Sequence, residues 1–266
     1  MAWYFDEFSK YDGFSPACVT GKPLDLHGTH GREAATGRGA VLAAHELLAV
    51  SGEGSLVGKK FAVQGYGNVG SWAAHFLHAA GAKVVAVSDR DGVLVNEAGL
   101  DLPALRRHTR AAPPFGGSLK TFPGGTAAPR AALFSVPCDV LIPAAVAGAL
   151  DARTAGSVTA RYVVEAANAP TTPAGDAILR DRGIVVLPDI LASGGGVVVS
   201  FLEWVQNQQS MRWGEADVNA RLEASMVAAF RSVWATAQAR GLPLRTAAFV
   251  EALQRVTQAH LYRGFD

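Results

Sequence analysis

Phe61-Ala-Val-Gln-Gly-Tyr-Gly-Asn-Val-Gly70 is the stretch from which the fold of this chain is read. Its first four residues form a short apolar run of strand type, and Gly65, Gly67 and Gly70 follow at the spacing of a tight phosphate-binding turn. Ser71 to Ala80 then reads as a helix closed by Gly81, and Lys83-Val-Val-Ala-Val-Ser88 as a second, β-branched strand. Each glycine has a distinct physical role. Gly65 permits the turn, Gly67 lets a pyrophosphate approach the backbone, and Gly70 lets helix and strand pack closely, while the helix N-terminus offers oriented N–H groups. Asp89 closes the second strand about 20 residues on, where a carboxylate accepts hydrogen bonds from the adenosine ribose. Gly65, Tyr66, Gly67, Asn68, Val69, Gly70 and Asp89 are therefore the expected dinucleotide contacts. Asp89 favours NAD over NADP because it repels a 2′-phosphate; Arg90 works against that preference and Asp91 for it. The competing reading is that these three charges simply form a polar turn before Gly92.

Outward from this βαβ unit, further apolar strands are expected at Val140-Leu-Ile142, Tyr162-Val-Val164, Ile184-Val-Val-Leu187 and near Ala132-Leu-Phe134. Strands alternating with helices predict an α/β, Rossmann-like, mostly parallel sheet with helices on both faces. Glu33 to Val50 reads as a helix, and residues 96–130, rich in Pro and Gly, as an irregular connection. From Phe201 the period is helical, with Leu222, Met226, Phe230, Val233 and Ala237 on one face and Thr246 placed to cap a last helix. Residues 1–15 form an aromatic-rich helix carrying Trp3, Tyr4, Phe5, Phe8 and Tyr11, too many rings for so short an element to cover alone. The expected domains are thus 1–15, the N-terminal helix; 16–200, the dinucleotide-binding domain; and 201–266, the C-terminal helical segment.

Composition narrows the function. Twenty-four Lys and Arg against 23 Asp and Glu leave a formal net charge of +1, so nothing points to nucleic acid or an anionic membrane as a partner. Two cysteines, Cys18 and Cys138, fit a reducing compartment. The N-terminus carries Asp6 and Glu7 where a signal peptide needs bases, so a cytoplasmic location is expected. His75 and His78 stand three apart on a helix without an acidic or thiol partner nearby in sequence, and read as a solvated face rather than a metal site.

Six blocks together carry a resemblance. They are Val19-Thr-Gly-Lys-Pro-Leu24, Gly31-Arg-Glu-Ala-Ala-Thr-Gly-Arg-Gly39, Gln64-Gly-Tyr-Gly-Asn-Val-Gly70, Cys138-Asp-Val-Leu-Ile-Pro-Ala-Ala145, Val164-Glu-Ala-Ala-Asn168 and Val199-Ser-Phe-Leu-Glu-Trp-Val-Gln-Asn207. The chain resembles the hexameric glutamate dehydrogenases, which oxidatively deaminate glutamate with NAD(P). The resemblance implies that Arg32 and Thr36 lie beside the cofactor, Thr36 near the nicotinamide amide. It further implies that Asn168 contacts the nicotinamide ribose and that Ser200 bonds a carboxylate of the substrate. Thr36 and Ser200 also admit a plainer reading, as helix hydroxyls bonded to their own backbone. Where the family usually has Asn in an N-A-G-G segment, this chain has Ser193-Gly-Gly-Gly196.

By the same resemblance, the chain corresponds to the C-terminal, cofactor-binding part and lacks nearly all of the substrate domain, with its lysine-rich pocket and its catalytic Lys and Asp. None of Lys10, Lys22, Lys59, Lys60, Lys83 and Lys120 sits in an apolar, glycine-rich setting that would tune it for imine chemistry. No catalytic residue is therefore assigned, and the chain alone is expected to be inactive. Three roles stay open: a truncated glutamate dehydrogenase; a regulatory or assembly subunit that binds dinucleotide and meets a full-length dehydrogenase, or itself, through the N-terminal aromatic helix; and a gene remnant.

Overall fold

A computed structural model describes residues 1–110 and 117–264. Along the chain the elements are α1 (Ala2–Asp12), α2 (Ala35–Val50), β1 (Lys60–Gln64), α3 (Asn68–Ala79), β2 (Lys83–Ser88), β3 (Val93–Val95), α4 (Leu102–Arg110), β4 (Thr126–Ala128) and β5 (Val140–Pro143). There follow β6 (Tyr162–Val164), α5 (Pro173–Asp181), β7 (Val185–Leu187), α6 (Asp189–Ala192), α7 (Gly195–Gln208), α8 (Glu215–Arg240) and α9 (Leu244–Arg263). The strands form one sheet in the order β4-β3-β2-β1-β5-β6-β7. β1 pairs in parallel with β2 and with β5, and β5-β6-β7 continue in parallel, whereas β3 and β4 add an antiparallel edge. The strand order reverses between β1 and β5, which opens a crevice at their carboxyl ends, where ligands of such sheets sit.

Side-chain alternation sends each strand into two apolar layers. Phe61 and Val63 of β1 point to one face and pack with α2, α3 and α8; Ala62 points to the other, among Leu133, Phe134, Leu150 and Leu179. The pairing of β1 with β2 slips between Phe61 and Ala62, and Val85 and Ala86 consequently both lie in the second layer. The expected α/β, mostly parallel architecture is the one observed. The first face is covered by long helices, the second by α5 and several short 3-10 turns.

Local expectations fared unevenly. The strand expected near Ala132 to Phe134 is a 3-10 run, Arg130–Ser135, in which Val136 donates to the Leu133 carbonyl. Its apolar residues are buried by folding down onto the second face rather than by pairing. Thr246 does not cap the last helix, because that helix begins earlier, at Leu244 after Pro243, and takes Thr246 into its first turn. Within residues 96–130, read as irregular, α4 and β4 form, and residues 111–116 lie outside the described residues. Helical structure resumes at Gly195 rather than Phe201, so α7 runs through residue 200.

The glycines opening α7 serve helix contact. A Cβ on Gly195 would stand 2.3 Å from the Ala35 carbonyl oxygen, and one on Gly39 would stand 2.9 Å from the Gly195 Cα. α2 and α7 therefore cross backbone to backbone. The expected α8 face is the buried one: Val218, Leu222, Met226, Phe230, Val233 and Ala237 share one cluster with Phe61. By contrast α1 buries no residue, and Trp3 and Tyr11 are 91% and 84% exposed. Among the described residues no helix is long and apolar enough to cross a membrane.

Cys138 precedes β5 and packs against the second layer, and burial pushes its thiol up to about 12. In a Cys18→Ser chain at pH 8, a disulfide reagent should therefore modify native protein roughly a thousandfold more slowly than unfolded protein, because the thiolate is the reactive form. Equal rates in the two states would contradict this burial.

Candidate functional site

The turn after β1 has the geometry its glycines require. Gly65 adopts φ +91°, and a Cβ on it would approach the Ala144 carbonyl oxygen to 2.9 Å. A Cβ on Gly70 would stand 1.9 Å from the Gly65 carbonyl oxygen, so α3 rests directly on the turn. Gly67 differs: nothing lies within 4 Å of the Cβ it lacks. Its open flank faces a groove of ≈ 1030 Å³ at the β1/β5 switch point. Gly65, Tyr66, Gly67, Asn68, Val69 and Asp89 all line this groove, while Gly70 is buried beneath it.

Asp89 performs the turn role and keeps a place in the groove. Its Oδ1 accepts from the backbone N–H groups of Asp91 (2.8 Å) and Gly92 (3.0 Å), which folds the chain back into β3. Arg90 is 83% exposed at its side chain and stands 3.9 Å from the Asp91 carboxylate. The two readings of this segment are thus compatible in one geometry.

Arg32, Thr36 and Ser200 form a second cluster beside the groove rather than in its wall. Arg32 Nε donates to Ser200 Oγ at 2.8 Å, so the Ser200 hydroxyl is engaged by the segment that leads into α2. A side chain at Gly196 would come within 2.5 Å of Thr36 Oγ1 and 3.5 Å of the Arg32 guanidinium. The glycine run thereby keeps this cluster open. Asn68 ties the two regions together, its Nδ2 donating to the Glu33 carbonyl at 3.0 Å. Asn168 is exposed in the loop after β6, immediately before Ala169, whose φ is +45°.

Several groove residues escaped the sequence reading. Ser88 Oγ accepts from the Gly65 N–H at 3.2 Å, and Gln64 carries a buried Oε1 with no hydrogen-bond partner among the described residues. Arg130, Phe134, Val146 and Arg153 also line the groove, from segments far apart in sequence. Only Gln64 and Ser88 had a signal, as neighbours of the turn and of Asp89. An open flank at Gly67, an unpaired amide oxygen at Gln64 and a carboxylate at the groove edge fit a dinucleotide: they supply room for a pyrophosphate and polar groups for a ribose. Ser193, in place of the family's Asn, donates its Oγ to the Asp189 carbonyl at 2.7 Å and so caps α6. Lys22 is buried but is consumed by structure: its Nζ stands 2.6 Å from Glu203, and both side chains are shielded from solvent. His75 packs edge-on against Trp72 and Phe76. Among the described residues no three His, Cys, Asp or Glu side chains converge as a metal site would require.

The family model for glutamate/leucine/phenylalanine/valine dehydrogenases matches residues 28–264. The chain belongs to this dehydrogenase family. It is 42% identical, over its whole length, to the cryptic catabolic NAD-specific glutamate dehydrogenase GudB of Bacillus subtilis, of which it spans 61%. Among solved structures, a hetero-hexameric glutamate dehydrogenase from Thermus thermophilus, in a Leu-bound form, superposes with a TM-score of 0.90 and 36% identity, covering 100% of this chain and 62% of that one. Glutamate dehydrogenase from Peptoniphilus asaccharolyticus gives a TM-score of 0.83 and 35% identity, covering 99% of this chain and 62% of its own. The likeness therefore takes in the whole chain but under two thirds of each relative.

The glycines separate binding from folding. Gly67→Ala should leave thermal stability near wild type and weaken NADH binding about tenfold or more, since its methyl enters the space left for a pyrophosphate. Gly70→Ala should cost about 3 kcal/mol of stability through overpacking against the Gly65 carbonyl. Calorimetry of both variants checks this; a Gly67→Ala chain with undiminished NADH binding would remove the turn from the site.

Proposed function

We propose that this chain is the NAD-binding part of a glutamate dehydrogenase, in which glutamate is oxidatively deaminated to 2-oxoglutarate and ammonia. The single observation that carries the reading is the open flank of Gly67 in a groove that also holds Asp89. When bound, the nicotinamide supplies the hydride acceptor. The roles assigned to this chain's residues are positional. The turn from Gly65 to Gly70 holds the pyrophosphate, Asp89 the adenosine ribose, Thr36 and Arg32 the nicotinamide end, and Asn168 its ribose. Ser200, whose Oγ accepts from Arg32 Nε at 2.8 Å, is assigned to a substrate carboxylate, and that accepted bond supports the role by leaving its O–H free to donate. Cofactor choice rests on charge, because a carboxylate at position 89 repels a 2′-phosphate. The name of the Bacillus subtilis relative, NAD-specific, supports the same choice. No residue of this chain is assigned to proton transfer on the imine, so the purified chain alone should not reduce NAD with glutamate.

Titration of the purified chain with NADH and separately with NADPH tests this reading. Saturable binding with NADH preferred is expected. Asp89→Asn keeps an acceptor for the Asp91 and Gly92 N–H groups while removing the charge, and should shift the NADH/NADPH ratio about tenfold toward NADPH, or about 1.4 kcal/mol. A folded chain that binds neither nucleotide would overturn the assignment.

A second reading, a non-catalytic dinucleotide-binding subunit that assembles with a full-length glutamate dehydrogenase, draws on the bare aromatic face of α1. The hetero-hexameric composition of the Thermus thermophilus relative makes such a partner chemically reasonable. Mixing the chain with a full-length dehydrogenase and measuring particle mass separates the two: a stable mixed oligomer, lost on Trp3→Asp, supports the second.

A further inference from the structure

Arg245, in the first turn of α9, faces an unusual concentration of acids. Its NH1 and NH2 donate to the two carboxylate oxygens of Glu165 at 3.0 and 2.7 Å, and its Nε donates to Asp176 at 2.9 Å. Asp189 lies 3.8 Å from the same guanidinium. Glu165 is fully buried at the end of β6, so this forked pair is what makes its charge tolerable there. The network does not stop at the ion pairs. Glu165 Oε2 also accepts from the Asp189 N–H at 2.8 Å, and Asp189 Oδ2 accepts from the Ala169 N–H at 2.7 Å.

Ala169 is where this network meets the groove. Its φ of +45° puts a non-glycine residue in the left-handed region, a costly conformation that needs outside support, and Pro170 follows it directly. Its carbonyl oxygen accepts from the Gly148 N–H at 2.9 Å, and the Pro170 carbonyl accepts from the Leu150 N–H at 2.8 Å. Val146 and Ala149, on either side of Gly148, line the dinucleotide groove. Ala169 thus has its N–H held by Asp189 and its C=O holding the groove wall, the two successive peptide units being fixed relative to each other by its backbone angles.

We propose that Arg245 is a positioning residue for the dinucleotide groove, acting through Asp189 on the Ala169 peptide and thereby on the wall from Val146 to Ala149. The last helix sets the shape of a site it does not touch. The inference rests on the reading of the groove as a dinucleotide site, and its test separates the two. Asp189→Asn keeps the side-chain volume and leaves one acceptor, which must now be shared between Ile190 and Ala169, both of which the carboxylate serves at 2.8 and 2.7 Å. In the purified chain this variant should weaken NADH binding about tenfold, the value of one hydrogen bond at the upper end of the usual range. It should also speed amide hydrogen exchange at Gly148 to a comparable degree. Adding Ala169→Gly, which enters the left-handed region without steric cost, should restore most of the affinity. Arg245→Lys, which keeps the charge but loses the fork, should weaken NADH similarly, and the Arg245→Lys/Asp189→Asn pair should be no weaker than the worse single variant, because both act along one path.

A merely structural role predicts otherwise: Ala169→Gly would not rescue binding, and the two losses would add. Either result overturns the proposal, as does unchanged exchange at Gly148 in Asp189→Asn. Failure of the wild-type chain to bind NADH would sink the dinucleotide reading alone, since exchange at Gly148 still reports whether Asp189 holds the wall.

Discussion

The contact between Gly70 and the Gly65 carbonyl fixes where everything else lies. With no side chain at Gly70, α3 comes down onto the turn that leaves β1, close enough that a methyl group would overlap the carbonyl oxygen. Hydrophobic packing of Ala73, Ala74 and Leu77 against the sheet holds the helix in that position. Its N-terminus is then aimed across the carboxyl ends of β1 and β5, and the open flank of Gly67 faces the groove. A helix standing further off would leave the same glycines as an ordinary loop.

A second backbone contact builds the other half of the site. α2 and α7 meet through Gly39 and Gly195, which lets Arg32 and Thr36 on one side approach Gly196 and Ser200 on the other. Buried charge locks this arrangement. Glu203, one turn beyond Ser200, accepts from the backbone N–H groups of Gly21 and Lys22 as well as from the Lys22 ammonium, so the loop before α2 cannot slide along α7. Breaking such a pair by removing one partner is far costlier than the pair itself is favourable, which gives it a locking role. The Arg245 network does the same beside β6 and β7, where it joins the last helix, the end of β6 and the loop carrying Ala169.

How much of this was legible depended on whether the determining interaction was local. The βαβ unit, the parallel sheet and the buried face of α8 follow from period and from glycine spacing, and they are present as read. The strand expected at Ala132 to Phe134 was misread because an apolar run of that length does not distinguish pairing from folding down onto a sheet; here Leu133 and Phe134 are buried without a ladder. The start of α7 at Gly195, ahead of the helical period read from Phe201, was hidden by its glycines. Helix interiors disfavour glycine, and only the close approach of α2 offsets that cost.

By itself the sequence determined the turn, its helix and the acid that closes the second strand, because these lie within one supersecondary unit and obey local sterics. It also carried the family, in six blocks between Val19 and Asn207, and the family model matches residues 28–264. Only the tertiary structure decided which distant side chains share the groove with that turn, that Asp89 both shapes its own turn and faces the groove, and that Lys22 is spent on Glu203. It alone brought Arg245 within reach of the loop at Ala169, 76 positions earlier in the chain. Those contacts join residues many tens of positions apart, and their partners are chosen by how helices and sheet pack, for which no local pattern in the chain carries a mark.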